Sequence, residues 1–459
     1  MQFRKILIST AVAVSLAGIH AQAAVSPQEA ARLGKDLTLV GAEKAGNGGA
    51  IPAFDGGLTR PPAGINYKVG DFHPDPFAAD KPTLTIDGTN YKQHLDKLPA
   101  GAVATFERYP QTFKMPIYPT RRSATFPEYI LEYTVKNATT GKIVGEGAGV
   151  ENVAVGIPFP ILSKDPKMAA YEAIWNHKMK YKGIALRRWN NQVVPTVTGQ
   201  FTPIKLQEEL LGLYWRKGST IADTGNVLQY LYQVVVAPAR LAGNGLLVHE
   251  TIDQLKLPRQ AWIYNPGQRR VRKAPNVAYD NPGTASDGLR TNDMTDMFNG
   301  ALDRYEWKYV GKKEMYVPYN SYKLHRKGLT YQDIVRPGHM NTELLRYELH
   351  RVHVVEATLR AGARHINPRR TFYLDEDSWQ IVVMDQYDAA GKMWRYSEAH
   401  CINYYEQPLF WATIESHYDL KSGRYLVGGI DNMDSVIDFS IQTTPDNFSP
   451  QALRTRGTR

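Results

Sequence analysis

The chain has 459 residues, 43% of them hydrophobic, with a formal net charge of +10 and one cysteine. That apolar fraction excludes a disordered chain, and a lone thiol excludes a disulfide scaffold, so a large core has to hold the molecule together. The basic balance suits anionic lipid, lipopolysaccharide or an acidic ligand, and no DNA- or RNA-binding motif is present, so nucleic acid is not an expected partner.

In chain order, residues 1–23 read as an export signal: Arg4 and Lys5 form the charged end, residues 6–19 the apolar stretch, and Ala21-Gln22-Ala23 the cleavage site. The apolar run is too short for a membrane span, no twin-arginine pair precedes it, and no cysteine at the cleavage site can take a lipid. The expected compartment is the periplasm of a Gram-negative bacterium. Losing Arg4 and Lys5 takes the charge from +10 to +8.

Residues 24–85 are expected to form an extended arm. Ser26 and Pro27 start its one helix, which runs to about Leu33, and glycine and proline then dominate residues 41–82, the grammar of a segment that lies over something. Residues 86–445 are expected to form one domain and 446–459 a tail. Within the domain, Asp87 caps a short helix to Leu98, residues 133–144 form a hairpin, and Asp165 and Pro166 open the strongest helix, with Tyr171, Ile174 and Trp175 on its apolar face. Strands follow over 187–197 and 229–238, then a short helix over 250–257.

Residues 260–275 (QAWIYNPGQRRVRKAP) form a hairpin hinged on Asn265-Pro266-Gly267, with Trp262 and Tyr264 before the turn and a basic return strand. Similar hairpins recur over 387–395 and 418–426, which makes one curved antiparallel sheet the expected architecture. Residues 291–302 (TNDMTDMFNGAL) read as a helix with Met294, Met297 and Phe298 on one side, either an adaptable binding surface or ordinary core. From residue 305 onward the pattern is strand after strand.

No catalytic signature appears, so no enzyme activity and no cofactor are expected. His249-Glu250 lacks the second histidine of a zinc protease, and residues 283–288 are not a nucleophile elbow. His350 and His353 fall on opposite faces of one strand, which rules out a metal held by both, and Asp375-Glu376-Asp377-Ser378 reads as a solvated turn. No metal site is expected. Cys401 lies in an aromatic strand and reads as a small core residue. The pairs Arg121-Arg122, Arg187-Arg188, Arg269-Arg270 and Arg369-Arg370 each place one guanidinium inward, either toward a ligand head group or toward internal acids such as Glu348 or Asp375. The candidate ligand-binding residues are Trp262, Tyr264, Arg269, Met294, Met297, Phe298, Arg369 and Trp379.

Six stretches carry a family resemblance: residues 37–57 (LTLVGAEKAGNGGAIPAFDGG), 118–122 (YPTRR), 174–178 (IWNHK), 311–320 (GKKEMYVPYN), 348–357 (ELHRVHVVEA) and 369–379 (RRTFYLDEDSW). Together they resemble the bacterial family called domain of unknown function 1329, over about residues 26–441. Leu39 stands where proline is common in that family. The resemblance implies a LolA/LolB-like fold, mainly β within an α+β class, in which a curved antiparallel sheet makes an incomplete barrel around a few helices. It further implies a gene-neighbour relation to RND-type inner-membrane exporters and outer-membrane proteins, the expected partners, and it carries no catalytic residues. The expected function is a periplasmic carrier or adaptor for a lipid, lipoprotein acyl chain or sterol-like molecule. The alternatives are a structural envelope subunit without a small ligand and a hydrolase whose site is not visible as a motif.

Overall fold

Strand-forming residues dominate the second half of the chain, and the computed structural model, which describes residues 25–457, folds them into one large sheet. The export signal expected over residues 1–23 lies outside the described residues. The sheet has ten strands: β1 (Leu84–Asp87), β2 (Lys114–Tyr118), β6 (Asn191–Val193), β12 (Tyr305–Pro318), β13 (Tyr347–Leu359), β14 (Arg369–Asp375), β15 (Ile381–Tyr387), β16 (Met393–Tyr404), β17 (Leu409–Asp419) and β18 (Arg424–Ile430). Its order is β1-β2-β13-β14-β15-β16-β17-β18-β6, with β12 also paired to β13. Neighbours are antiparallel except β2 and β13, and the two end strands do not meet, so the barrel stays open.

A second, six-stranded sheet runs β11 (Arg270–Lys273), β10 (Gln260–Asn265), β9 (Gly245–Thr251), β8 (Val227–Ala237), β7 (Lys205–Leu211) and β5 (Ala185–Trp189). A small hairpin joins β3 (Lys142–Val144) to β4 (Gly149–Glu151). The molecule is therefore α+β and dominated by antiparallel sheet. The hairpins expected over 387–395 and 418–426 are β15–β16 and β17–β18. The hairpin over 260–275 is β10–β11, and it belongs to the smaller sheet rather than the large one.

Helices cover the large sheet. α4 (Pro166–Met179) starts on Asp165, whose carboxylate accepts from Met168 N at 2.7 Å, and packs across β12 and β13. All of residues 169–179 are buried, so this helix is covered on every side rather than on one stripe. α2 (Ala100–Arg108) packs on β15 and β16. The first-turn N–H groups of Ala100 and Gly101 donate to the buried Asp385 carboxylate at 3.0 and 2.9 Å, which satisfies donors that no helical carbonyl reaches. A Cβ on Gly101 would lie 2.1 Å from the Tyr396 ring, so only glycine permits this approach.

Four local expectations are corrected. Residues 133–144 are not a hairpin: 133–137 end α3 (Glu128–Asn137), because Ile130, Thr134 and Asn137 recur at helical spacing and are the residues it buries, and only 142–144 form a strand. Residues 291–302 carry one turn of 3-10 helix, Asn292–Met294, and then Asp296 and Met297 adopt φ of 52° and 64°, which no α-helix accommodates. Residues 250 and 251 end β9, and the chain then turns with Asp253 accepting from Leu255 N and Lys256 N. Asp87 ends β1, and the following 3-10 segment, Tyr91–Lys97, begins after Asn90.

Candidate functional site

The site is built from the N-terminal arm and the loop it covers. α1 (Pro27–Ala30) has the capping box that Ser26 and Glu29 predict, each side chain receiving the other's backbone N–H. Beyond it the chain doubles back through Gly41, where φ is 92° and a Cβ would sit 1.6 Å from the Pro160 carbonyl oxygen. Only a glycine lets the arm lie this close to the domain.

Beneath the arm lies the loop at the end of β14. Asp375, Glu376, Asp377 and Ser378 are all at most 2% exposed, so the expectation of a solvated turn is corrected. Arg122 grips Asp377 through Nε and Nη2, at 2.9 and 2.7 Å, and donates to the arm carbonyl of Glu43 at 2.8 Å. Arg351 reaches Glu376 at 3.3 Å and the Ala45 carbonyl at 3.0 Å. Lys312 bridges Glu376 and Glu43, at 3.0 Å each. Trp379, with φ of 60°, donates its indole N–H to the Val40 carbonyl at 3.0 Å and stacks on His353 with centroids 4.5 Å apart. The arm thus supplies the carbonyls that complete buried cations.

The electrostatics follow from these partners. Burial works against the Arg122 charge, but Asp377 and Glu376 outweigh it and hold the guanidinium above its usual value. Burial and the charge of Asp377 push the Asp375 carboxyl up to about 7 and raise Glu376 as well. Glu348 goes the other way: burial opposes its charge, yet His350 at 3.0 Å and Arg346 at 2.6 Å hold it below the usual carboxylate range.

Two grooves of about 490 Å³ each flank the arm. One is mainly apolar, walled by Leu39, Val40 and Phe54 of the arm and by Phe126 and Leu131 of the domain, with Lys44, Asp55 and Asp377 as its charged groups. The other holds Leu37, Ile161 and Leu162 beside Arg32, Asp36, Lys312 and His353. A smaller polar cavity of about 50 Å³ lies between the two sheets, lined by Arg188, Glu208, Arg290, Glu415 and His417 among others.

The residues singled out from sequence fall into separate places. Trp262 and Tyr264 pack in a satellite core with Tyr232, Leu247, Phe448 and Leu453, and Arg269 is exposed at the β10–β11 turn with φ of 52°. Met294, Met297 and Phe298 are fully buried in the main core, the Phe298 ring lying 5.6 Å from Trp307 and 5.3 Å from Phe372. Arg369 covers the Tyr387 ring at 3.6 Å. None of the eight lines the three spaces above.

Three of the four arginine pairs turn one member toward internal acids: Arg122 to Asp377, Arg188 to Glu208 at 2.7 Å, and Arg370 to Asp293 at 2.8 Å. Phe54, Phe126, Leu131 and Lys312 were not singled out. Their signal, the glycine-proline arm with apolar residues set into it, reveals a cover but not what it covers.

Comparison with known proteins identifies the family. The sequence profile described as protein of unknown function (DUF1329) matches residues 85–454. Uncharacterized protein PA3922 of Pseudomonas aeruginosa is 48% identical over 462 residues, covering all of both chains. Among solved structures, a DUF1329 family protein from Desulfovibrio piger is 14% identical and aligns with 63% of this chain and 100% of its own, at a TM-score of 0.44. A LolA superfamily protein from Nitrosomonas europaea is 11% identical and aligns with 60% of this chain and 93% of its own, at 0.35. The chain belongs to the DUF1329 family.

Proposed function

We propose that this chain is a periplasmic carrier or adaptor that takes one hydrophobic molecule, a lipid, lipoprotein acyl chain or sterol-like compound, into the apolar groove beneath its arm. It exchanges that cargo with an RND-type inner-membrane exporter or an outer-membrane protein, and it acts without catalysing a reaction. The observation that carries the reading is the groove itself. Its volume of about 490 Å³ falls within the range of small-molecule sites, its walls are Leu39, Val40, Phe54, Phe126 and Leu131, and Lys44 stands at its edge for an anionic head group. An acyl chain of about 14 methylenes costs on the order of 11 kcal/mol to expose to water, so transit between membranes needs such a sheath. Among the described residues no helix is long and apolar enough to cross a membrane, which fits a protein that moves between two of them.

The test is native mass spectrometry of protein purified from the periplasm, with organic extraction of whatever travels with it. The expected result is one hydrophobic molecule per chain, and Leu131→Arg weakens uptake of a fluorescent fatty acid at least about tenfold by blocking the groove wall. Protein that arrives empty and takes up neither fluorescent fatty acid nor sterol overturns the carrier reading. A second reading, a structural subunit of an envelope complex, draws on a different observation. Met294, Met297, Phe298 and Trp379, the aromatic and thioether residues suited to a hollow, are packed as solid core.

A further inference from the structure

We infer that His350, Asp375 and Asp377 form a binding site for one divalent transition-metal cation, with Glu348 positioning the imidazole. The donor atoms of the three residues lie within 4.8 Å of one another, and all three side chains are buried. Zinc and similar ions sit about 2.0–2.2 Å from nitrogen and oxygen ligands, so two ligands of one ion stand at most about 4.2 Å apart. His350 Nδ1 and Asp375 Oδ1, at 3.9 Å, already meet that limit, and an Asp377 oxygen lies within 4.8 Å of the donor atoms of both residues.

Two independent observations point to a cation here. The first is an unsatisfied acceptor. Asp375 Oδ2 receives the hydroxyls of Ser378 at 2.5 Å and Tyr319 at 3.2 Å, but the fully buried Oδ1 has no hydrogen-bond partner and faces the imidazole. The second is the orientation of that imidazole. His350 Nε2 lies 3.0 Å from Glu348 Oε2, while Glu348 Oε1 accepts from Arg346 Nε at 2.6 Å. The other ring nitrogen, Nδ1, lies 3.9 Å from Asp375 Oδ1, so the two polar atoms face one buried gap without a hydrogen bond between them. A carboxylate on the far nitrogen of a ligand histidine is the arrangement that fixes tautomer and raises basicity at metal sites.

Charge balance agrees with this assignment. Glu348 pairs with Arg346, Glu376 with Arg351 and Lys312, and Asp377 with Arg122, which leaves Asp375 as the acid of this cluster with only hydroxyl donors. Arg122 occupies one lone pair on each Asp377 oxygen and leaves the other available, and a ligating carboxylate is commonly held in this way from behind. One imidazole and two carboxylates suit zinc, manganese or iron(II), whereas calcium asks for six to eight oxygens. The inference is independent of the carrier reading, although Asp377 also lines the apolar groove.

The experiment uses the full mature chain, stripped with EDTA, loaded separately with Zn²⁺, Mn²⁺ or Co²⁺, and freed of excess ion by gel filtration. One retained ion per chain by elemental analysis is expected. Titration with Zn²⁺ should raise the thermal midpoint, and the Co²⁺ form should show visible absorption of a nitrogen–oxygen site. Asp375→Asn keeps an acceptor for Ser378 and Tyr319 and offers an N–H to His350, so it should fold, keep its near-ultraviolet circular dichroism and bind Zn²⁺ at least about tenfold more weakly, since losing a ligand costs no less than losing an outer-shell partner. Wild-type protein that retains none of the three ions overturns the assignment, as does an Asp375→Asn or His350→Asn variant that binds as tightly as wild type. Should a variant fail to fold, the Co²⁺ spectrum of the wild-type chain decides alone.

Discussion

Glu398 shows what burial does to a single carboxyl in the middle of the large sheet. It is fully buried on β16, accepts the Tyr396 hydroxyl at 2.9 Å through Oε1, and leaves Oε2 without a hydrogen-bond partner, 3.6 Å from His400 Nε2. Burial pushes its carboxyl up to about 7 and pushes His400 down to about 3, so between those values the pair is neutral in the fold. The folded value of Glu398 exceeds the unfolded one of about 4.5. Its stabilising contribution is therefore complete below pH 4.5 and is lost as pH rises through 7. Glu398→Gln removes that loss. Chemical denaturation should show the variant close to wild type at pH 5 and more stable at pH 8, by roughly 3 kcal/mol on a shift of about 2.5 pK units. Equal differences at both pH values would mean that Glu398 stays charged. At this scale the sequence was half legible: pairing the arginines and turning one inward anticipated Arg122, Arg188 and Arg370. Which acid each would meet was not readable, because Asp377 is 255 residues from Arg122.

At the scale of elements, hairpins were legible because turn residues and alternation lie within one short window, as over 260–275. The 14-residue α4 was equally plain, with its Asp165 cap and Pro166 start. Residues 291–302 failed because tertiary contacts override propensity: Asp296 is paired with Lys180 and Lys182 at 2.6 and 2.7 Å, and it and Met297 have positive φ, although Met294, Met297 and Phe298 have helical spacing. The arm carries the most exacting element-scale constraint, at Gly41. Gly41→Ala needs both an unfavourable φ and the removal of a 1.6 Å clash with Pro160, so the arm must lift there. Hydrogen exchange should quicken over residues 34–45, with a loss of about 1–3 kcal/mol in stability and little change in α4. Unchanged exchange over that segment would show that the arm is not held down at this contact.

For the whole molecule, composition and pattern conveyed a sheet-dominated α+β fold, but not its division into two sheets. That division depends on which strands pair across long separations, such as β18 with β6, and no local window records it. The burial of residues 375–378 was hidden for the same reason: Glu43, which bonds Glu376, lies 333 residues away. Removing residues 25–57 tests the arm's two roles together. The truncated chain loses the Val40 carbonyl from Trp379, the Glu43 carbonyl from Arg122 and the Ala45 carbonyl from Arg351. Leaving those three donors unpaired at 1–3 kcal/mol each predicts destabilisation of about 3 kcal/mol, the low end of the range because water reaches part of the opened surface. It also removes Leu39, Val40 and Phe54 from the apolar groove, so a chain that carries cargo there should lose fluorescent fatty-acid binding more than tenfold. Lost stability with unchanged binding would place the cargo elsewhere, and a full-length chain that never binds the probe would leave the arm as a cover for the ion-pair cluster, in keeping with an envelope subunit.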